Sequence, residues 1–148
     1  MKLTTIFAAG IVLLATAMIA DTPVKMEDLP PVVQKAVKEK TKGATLVGLS
    51  KEKEKGKTFY EAETKVSGKT RDLLFDAAGV VVDVEEEVDL ASIPAAAKAA
   101  IEKKSSGGTI EKVETVTHGS DVSYEAAIKT KAGKKIEYSV NADGSVRK

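Results

Sequence analysis

The chain has 148 residues, of which 43% are hydrophobic and 30% are charged, with 23 basic residues against 22 acidic ones and no cysteine. This near-neutral, mixed charge argues against nucleic acid or an anionic membrane surface as the partner. The lack of cysteine excludes disulfides and thiolate metal ligands, and an exported chain without disulfides is typical of a bacterial periplasm.

Residues 1–20 have the pattern of a secretory signal peptide. Lys2 gives a basic start, residues 6–14 are apolar, and small residues follow. Cleavage after Ala17 satisfies the small-x-small rule, and cleavage after Ala20 is the alternative. The stretch is less apolar than the ~20 residues of a membrane-spanning helix. We therefore predict a periplasmic or secreted protein with no membrane attachment after cleavage.

The rest of the sequence contains an internal repeat, with a spacing of 64 residues that becomes 65 near the end. For example, the tripeptide Tyr-Glu-Ala at residues 60–62 recurs at residues 124–126. Apolar positions and turn residues recur in the same order, which predicts two tandem copies of one small α/β module. We place the copies at residues 27–86 and 90–148.

Each copy begins with a predicted helix. In the first copy Asp28 is the expected N-cap, and Pro30 lies in the first turn, where a missing N–H group is tolerated. Apolar residues then recur with helical spacing. Ser92 and Pro94 give the second copy the same start.

Four strands are predicted after each helix. In the first strand, Leu46 and Leu49 are three residues apart, and so are Ile110 and Val113 in the second copy, which predicts a bulge. Alternation of apolar and polar residues over positions 60–66 indicates a second strand with one buried face.

The turn after the second strand accounts for the slip from 64 to 65 residues. A two-residue turn at residues 67–68 sets Ala62 opposite Leu73, and a three-residue loop at residues 131–133 sets Ile128 opposite Ile136. The turn therefore absorbs the inserted residue, and inward side chains stay inward.

The predicted fold class is α+β, with two tandem modules that each contain one helix followed by a four-stranded antiparallel meander. The pattern leaves open whether the two sheets are separate or joined into one sheet with the helices on one face. Exposed edge strands also leave the oligomeric state open.

This order of motifs resembles the PepSY domain, including a periplasmic PepSY-like group related in fold to β-lactamase inhibitory protein. The motifs are the Leu-Pro helix start, Gly-Ala-Thr-Leu at residues 43–46, the Tyr-Glu-Ala strand and Phe-Asp-Ala-Ala-Gly at residues 75–79. The resemblance covers residues 27–148 and implies an exported binding domain, for which inhibition or local control of peptidases has been proposed. The second copy departs from the pattern, since Val140 stands where the first has Phe75.

No catalytic or metal-binding constellation is visible in the sequence. His118 is the single histidine and is predicted in a hairpin loop, without sequence partners for a metal site or a nucleophile-base pair. The acidic run at residues 83–89 lacks the ligand spacing of a calcium loop and favours a strand and solvated linker. Glu61 and Glu63 share a face, which leaves paired-carboxylate hydrolysis as an alternative. We predict a protein that is not an enzyme and has no metal or cofactor.

The predicted partner-binding surface is the outward face of the sheet in the first copy. The hairpin register places Phe59 and Leu74 there, with Glu61 and Glu63 at the rim. The second copy has serines in place of both apolar residues. The competing interpretation is that Phe59 and Leu74 are scattered apolar residues or pack under a loop.

The sequence therefore predicts an exported, non-catalytic PepSY-like binding module with a protein partner. Its predicted role is to inhibit or modulate a peptidase or another hydrolase. The alternative is a periplasmic ligand sensor or a structural protein of the envelope.

Overall fold

The computed structural model describes residues 22–147, so the predicted signal peptide at residues 1–20 lies outside the described residues. The elements are β1 (Thr22–Pro23), α1 (Pro31–Lys40), β2 (Thr45–Glu54), β3 (Lys57–Val66), β4 (Lys69–Asp76), β5 (Val81–Glu87), α2 (Ala95–Lys104), β6 (Thr109–His118), β7 (Asp121–Lys129) and β8 (Lys135–Val140). Short 3-10 turns at Met26–Asp28 and Leu90–Ser92 precede the two helices.

The eight strands form one antiparallel sheet, and each strand pairs with the next in chain order. The two halves join where β5 pairs with β6, with Val84 opposite Thr117 and Glu86 opposite Thr115. This pairing satisfies the backbone groups of two strand edges that separate modules would leave open.

The predicted fold class of two modules, each with one helix and a four-stranded meander, is therefore wrong. The β5–β6 ladder makes the sheet continuous, and β1 adds a short strand before the first helix. The second half contributes three strands to the sheet, because after β8 the described chain returns only as a single bridge between Val146 and Val140.

Both helices lie on the same face of the sheet. Val33 and Val37 of α1 pack in one cluster with Phe75, and Ala97 and Ile101 of α2 belong to a second cluster. Strand residues of both clusters point to the same side, since successive side chains alternate between the faces. Both apolar clusters thus lie on one face of the sheet, and neither helix covers the opposite face.

The helices begin later than the sequence predicts. Pro30 and Pro94 are N-cap residues with extended ψ angles of 142° and 140°. Pro30 precedes another proline, which disfavours helical geometry at Pro30. The expected N-cap, Asp28, lies in the preceding 3-10 turn, where its Oδ2 accepts a hydrogen bond from the Lys25 N–H group at 3.1 Å.

The predicted hairpin registers are confirmed. In β3 and β4, Ala62 lies opposite Leu73, and both residues of the turn at 67–68 have the positive φ angles that a type I′ turn requires. In β7 and β8, Ile128 lies opposite Ile136. The side chains of both hairpins therefore point as the sequence predicts.

The predicted bulges are also confirmed. The register of β2 against β3 shifts between Leu46 and Gly48, and that of β6 against β7 shifts between Ile110 and Lys112. A bulge bends its strand and increases the local twist. The two bulges therefore contribute to the curvature of the sheet.

Candidate functional site

The face of the sheet opposite the helices is concave and acidic. Residues from every strand between β2 and β8 line one cavity of about 190 Å³ on this face. We call the cavity and its walls the acidic face, because seven carboxylates line it: Glu52, Glu61, Asp72, Asp83, Glu85, Glu125 and Glu137. Leu74 and Val116 supply apolar wall, and Arg147 is the one lysine or arginine of residues 22–147 in the lining.

Strand alternation gathers the carboxylates on this face. Leu73 and Phe75 point into the core under α1, so their neighbours Asp72 and Leu74 point the other way. Asp72 lies directly opposite Glu85 of β5, and Glu61 approaches from β3. Carboxylate oxygens of Glu61, Asp72 and Glu85 lie within 4.8 Å of one another.

The crowding of like charges changes the protonation of this cluster. Burial, reinforced by the charges of Glu125, Glu114, Glu61 and Asp72, raises the pKa of Glu85 from 4.5 to about 8. Glu85 therefore holds a proton at neutral pH for most of the time.

Burial also raises the pKa of two neighbouring carboxyl groups. For Asp72 the effect is opposed by the Thr64 backbone N–H group, which donates to Oδ1 at 3.1 Å. For Glu125 it is opposed by a hydrogen bond from the Ser139 hydroxyl. Burial on the acidic face therefore raises the pKa of three carboxyl groups, those of Asp72, Glu85 and Glu125.

Two basic residues of the chain already have carboxylate partners at the edges of this face. Lys112 Nζ lies 2.7 Å from Glu114 Oε1, and His118 Nδ1 lies 2.7 Å from Asp83 Oδ1. The predicted hairpin at residues 118–121 forms, but His118 is the last residue of β6, opposite Asp121, and it lines the cavity. Its partner is 35 residues away in the sequence, too distant for a local pattern to reveal.

The four residues predicted to bind a partner occupy different environments. Glu61 and Leu74 lie opposite each other and both line the cavity. Glu63 is exposed next to it and borders a second depression with Lys112. Phe59 shares this side of the sheet by register, but it is only 8% exposed. The structure therefore brings Glu61 and Leu74 together and leaves Phe59 with little surface for a partner.

Sequence reasoning missed most carboxylates of the acidic face. It assigned the run at residues 83–89 to a strand and a solvated linker, and residues 81–87 do form β5. However, Asp83 is buried and Glu85 is half-buried, because β5 is central in the sheet. The signal in the sequence was the alternation of Asp83 and Glu85 with valines, which places both carboxylates on the face opposite the core.

Glu61, Asp72 and Glu85 have the oxygen donors that a hard cation prefers. Calcium takes about six to eight oxygen ligands, whereas one oxygen atom from each of these three residues lies within reach of the others. The cluster by itself therefore does not complete a calcium site.

Comparisons with known proteins identify the fold. No protein-family model and no curated protein matches the chain. A periplasmic protein from Bacteroides eggerthii has a similar solved structure, with 20% identity, a TM-score of 0.64, and coverage of 81% of this chain and 86% of that one. A DUF2874 family protein from Bacteroides uniformis has 19% identity and a TM-score of 0.62 over 80% of this chain and 86% of that one. A BLIP-like protein from Bacteroides fragilis has 18% identity and a TM-score of 0.55 over 81% and 84%.

The chain thus has the fold of these periplasmic and BLIP-like proteins, in agreement with the predicted relation to the fold of β-lactamase inhibitory protein. The predicted location, periplasmic or secreted, matches the description of these neighbours. Within residues 22–147, neither helix has the length and apolar composition needed to cross a membrane. The PepSY assignment and the two tandem copies stay predictions.

Proposed function

We propose that the protein is a non-catalytic periplasmic binding protein whose acidic face captures a protein partner, a peptidase or another hydrolase, and inhibits or modulates it. The observation that carries this proposal is the concave sheet face that neither helix covers. A curved sheet with one face packed and the other open presents a rigid surface to a protruding segment of a partner. The BLIP-like neighbour supports a protein-binding role for the fold.

The size of the cavity favours a protein segment over a small-molecule ligand. Pockets for drug-sized ligands enclose about 300–1,000 Å³. The more open depression beside the cavity, which shares Glu61 and Asp72, only reaches the lower limit at about 310 Å³, and the cavity itself encloses about 190 Å³. That volume suits one side chain of a partner, with the surrounding strands in contact with the rest of its loop. Glu61, Glu63 and Leu74 belong to this proposed surface.

The hydrogen bonds of the acidic face support a non-catalytic role. Asp83 orients His118, as the acid of a hydrolytic triad orients its base. Within residues 22–147, however, no hydroxyl group is hydrogen-bonded to His118, and the Ser139 hydroxyl donates to Glu125 instead. A triad mechanism requires a hydrogen bond between the hydroxyl group of the nucleophile and the base. Among residues 22–147 His118 has no such partner.

Capture from periplasmic extract tests the proposal with two matched variants. Leu74→Ser changes the wall of the cavity, whereas Val32→Ser changes an equally apolar residue on α1 that is 49% exposed. We expect the wild type and Val32→Ser to retain a hydrolase that Leu74→Ser releases. The purified hydrolase should then turn over its substrate at a different rate when the wild-type protein is added.

Two results would contradict the proposal. If the folded Leu74→Ser and Val32→Ser variants retained the hydrolase equally, the binding surface would not lie on the acidic face. An unchanged rate of the bound hydrolase at saturation would exclude inhibition and modulation.

A further inference from the structure

We propose that the occupant of the acidic face is a basic segment of the partner, which inserts one lysine or arginine side chain between Glu61, Asp72 and Glu85 and displaces a proton. This inference rests on the proposed function and names the chemistry of its partner. It follows from charge complementarity, from the apolar wall beside the cluster, and from the protonation of the cluster.

The acidic face has a large excess of carboxyl groups, although the chain as a whole is nearly neutral. The whole chain has 23 basic and 22 acidic residues, yet the cavity has seven carboxylates and, from residues 22–147, only Arg147 and His118 as basic residues. His118 already contacts Asp83. With Glu85 protonated, six carboxyl groups of the lining remain besides it. An uncovered sheet face with this excess of acidic groups is complementary to a basic segment and repels an acidic one.

The walls of the cavity favour a side chain over a bare metal ion. Leu74 and Val116 line it next to the carboxylates. Lysine and arginine side chains have an apolar stem that packs on such residues, with a charged head that reaches the carboxylates. A bare cation would use the oxygen atoms and gain nothing from Leu74 or Val116.

Proton release follows from the surroundings of Glu85. The ionisable groups that face it come from neighbouring strands on both sides. They are Glu61 of β3, Asp72 of β4, Glu114, Lys112 and His118 of β6, and Glu125 of β7. Most of these are acidic, so burial and repulsion keep the Glu85 carboxyl group protonated at neutral pH. When an ammonium or guanidinium group enters, the O–H proton passes to water and the resulting carboxylate pairs with the cation.

Titration calorimetry with a defined probe tests this inference. The probe is a capped peptide with four arginines separated by Gly-Ser, and its control has neutral citrulline at the same positions. Titrations into the mature chain at pH 7, in two buffers of different ionisation enthalpy, give both the affinity and the number of protons released. We expect the arginine peptide to bind with proton release and the citrulline peptide not to bind.

Variants identify the residues involved. Asp72→Asn should weaken the binding of the arginine peptide at least about tenfold, since a hydrogen bond to a charged group contributes about 1.5–3 kcal/mol. The Glu85→Gln variant should bind the arginine peptide with little proton release, because glutamine has no carboxyl proton to lose. Glu39→Gln on the exposed surface of α1 is the matched charge control and should behave as the wild type. Thermal unfolding of each variant shows whether it is folded.

Three results would overturn the inference: equal weakening by Glu39→Gln and Asp72→Asn, binding of the arginine peptide without proton release, or saturation by calcium chloride with no binding of either peptide. The two proposals can fail separately. If the captured hydrolase bound the Asp72→Asn and Glu85→Gln variants as tightly as the wild type, the inference of a basic segment would be wrong and the proposed function would stand. If the arginine peptide bound with proton release but no hydrolase was captured, the proposed function would be wrong and the inference about the acidic face would stand.

Discussion

At the scale of single residues, the protonation of Glu85 links the acidic face to the stability of the fold. Its pKa is about 8 in the folded protein, above the 4.5 of an unperturbed glutamate, because the side chain is buried among other carboxyl groups. A carboxyl group with a raised pKa stabilises the folded state below its unfolded pKa, and that contribution is lost as the pH rises through about 8. The raised pKa values of Asp72 and Glu125 act in the same direction.

We therefore expect the free energy of unfolding to fall by on the order of 2–4 kcal/mol between about pH 5 and pH 9. Glu85→Gln cannot ionise and should remove most of this loss, whereas Glu39→Gln should retain it. Urea unfolding at a series of pH values measures the slope. A wild-type protein whose stability rises with pH, or a Glu85→Gln variant with the same slope, would show that Glu85 does not carry this linkage.

Phe59 and Leu74 should differ in what their removal does to stability. Phe59 is 8% exposed, so Phe59→Ala should destabilise the fold by about 3 kcal/mol. Leu74 is half-buried in the cavity wall, so Leu74→Ala should have a smaller effect. Urea unfolding of both variants measures the difference. If Phe59→Ala left stability unchanged, Phe59 would be a surface residue, as the sequence predicts.

At the scale of elements, two glycines with the same backbone angle separate conformational strain from packing. Gly133 and Gly144 both have φ of +81°, but a Cβ atom at Gly133 would meet nothing within 4 Å. A Cβ atom at Gly144 would lie 2.6 Å from the backbone oxygen of Ala96 in α2. We expect Gly133→Ala to destabilise by about 1 kcal/mol and Gly144→Ala by about 2–4 kcal/mol. Equal shifts in melting temperature would show that α2 does not lie closely on this turn.

The sequence predicted local elements well, because their signals are local. The turn at residues 67–68 and the bulge after Leu46 depend on neighbours in the chain, and both are confirmed. The start of α1 was missed, because a 3-10 turn at Met26–Asp28 uses the residue that would cap a longer helix. Among the candidate site residues, Glu61 and Leu74 were predicted from a hairpin register of the same local kind.

At the scale of the whole molecule, the features that the sequence did not predict depend on contacts between residues far apart in the chain. Pairing of β5 with β6 brings residues about 30 positions apart together, and no local pattern shows that these two strands meet. That pairing makes the sheet continuous and places Asp83 beside His118. The acidic face therefore exists only in the assembled sheet. The alternation of Asp83 and Glu85 with valines indicates which face these two carboxylates share, but no local pattern predicts the cavity or the carboxylates of the other strands.

The continuous sheet should unfold as one unit. Five residue pairs join β5 to β6, and Val88, just after β5, packs against the cluster under α2. We expect a single calorimetric transition whose calorimetric and van't Hoff enthalpies agree. Two resolved transitions would instead show that the halves fold as separate modules.

The location of the binding surface is tested most directly by methyl NMR of the chain without residues 1–20, titrated with the arginine peptide. Leu74 and Val116 line the acidic face, whereas Val32 and Val80 are 49% and 57% exposed outside the cavity. We expect the methyl signals of Leu74 and Val116 to shift in a saturable manner and those of Val32 and Val80 to stay in place. Saturable shifts at Val32 or Val80, with Leu74 and Val116 unchanged, would contradict a binding role for the acidic face.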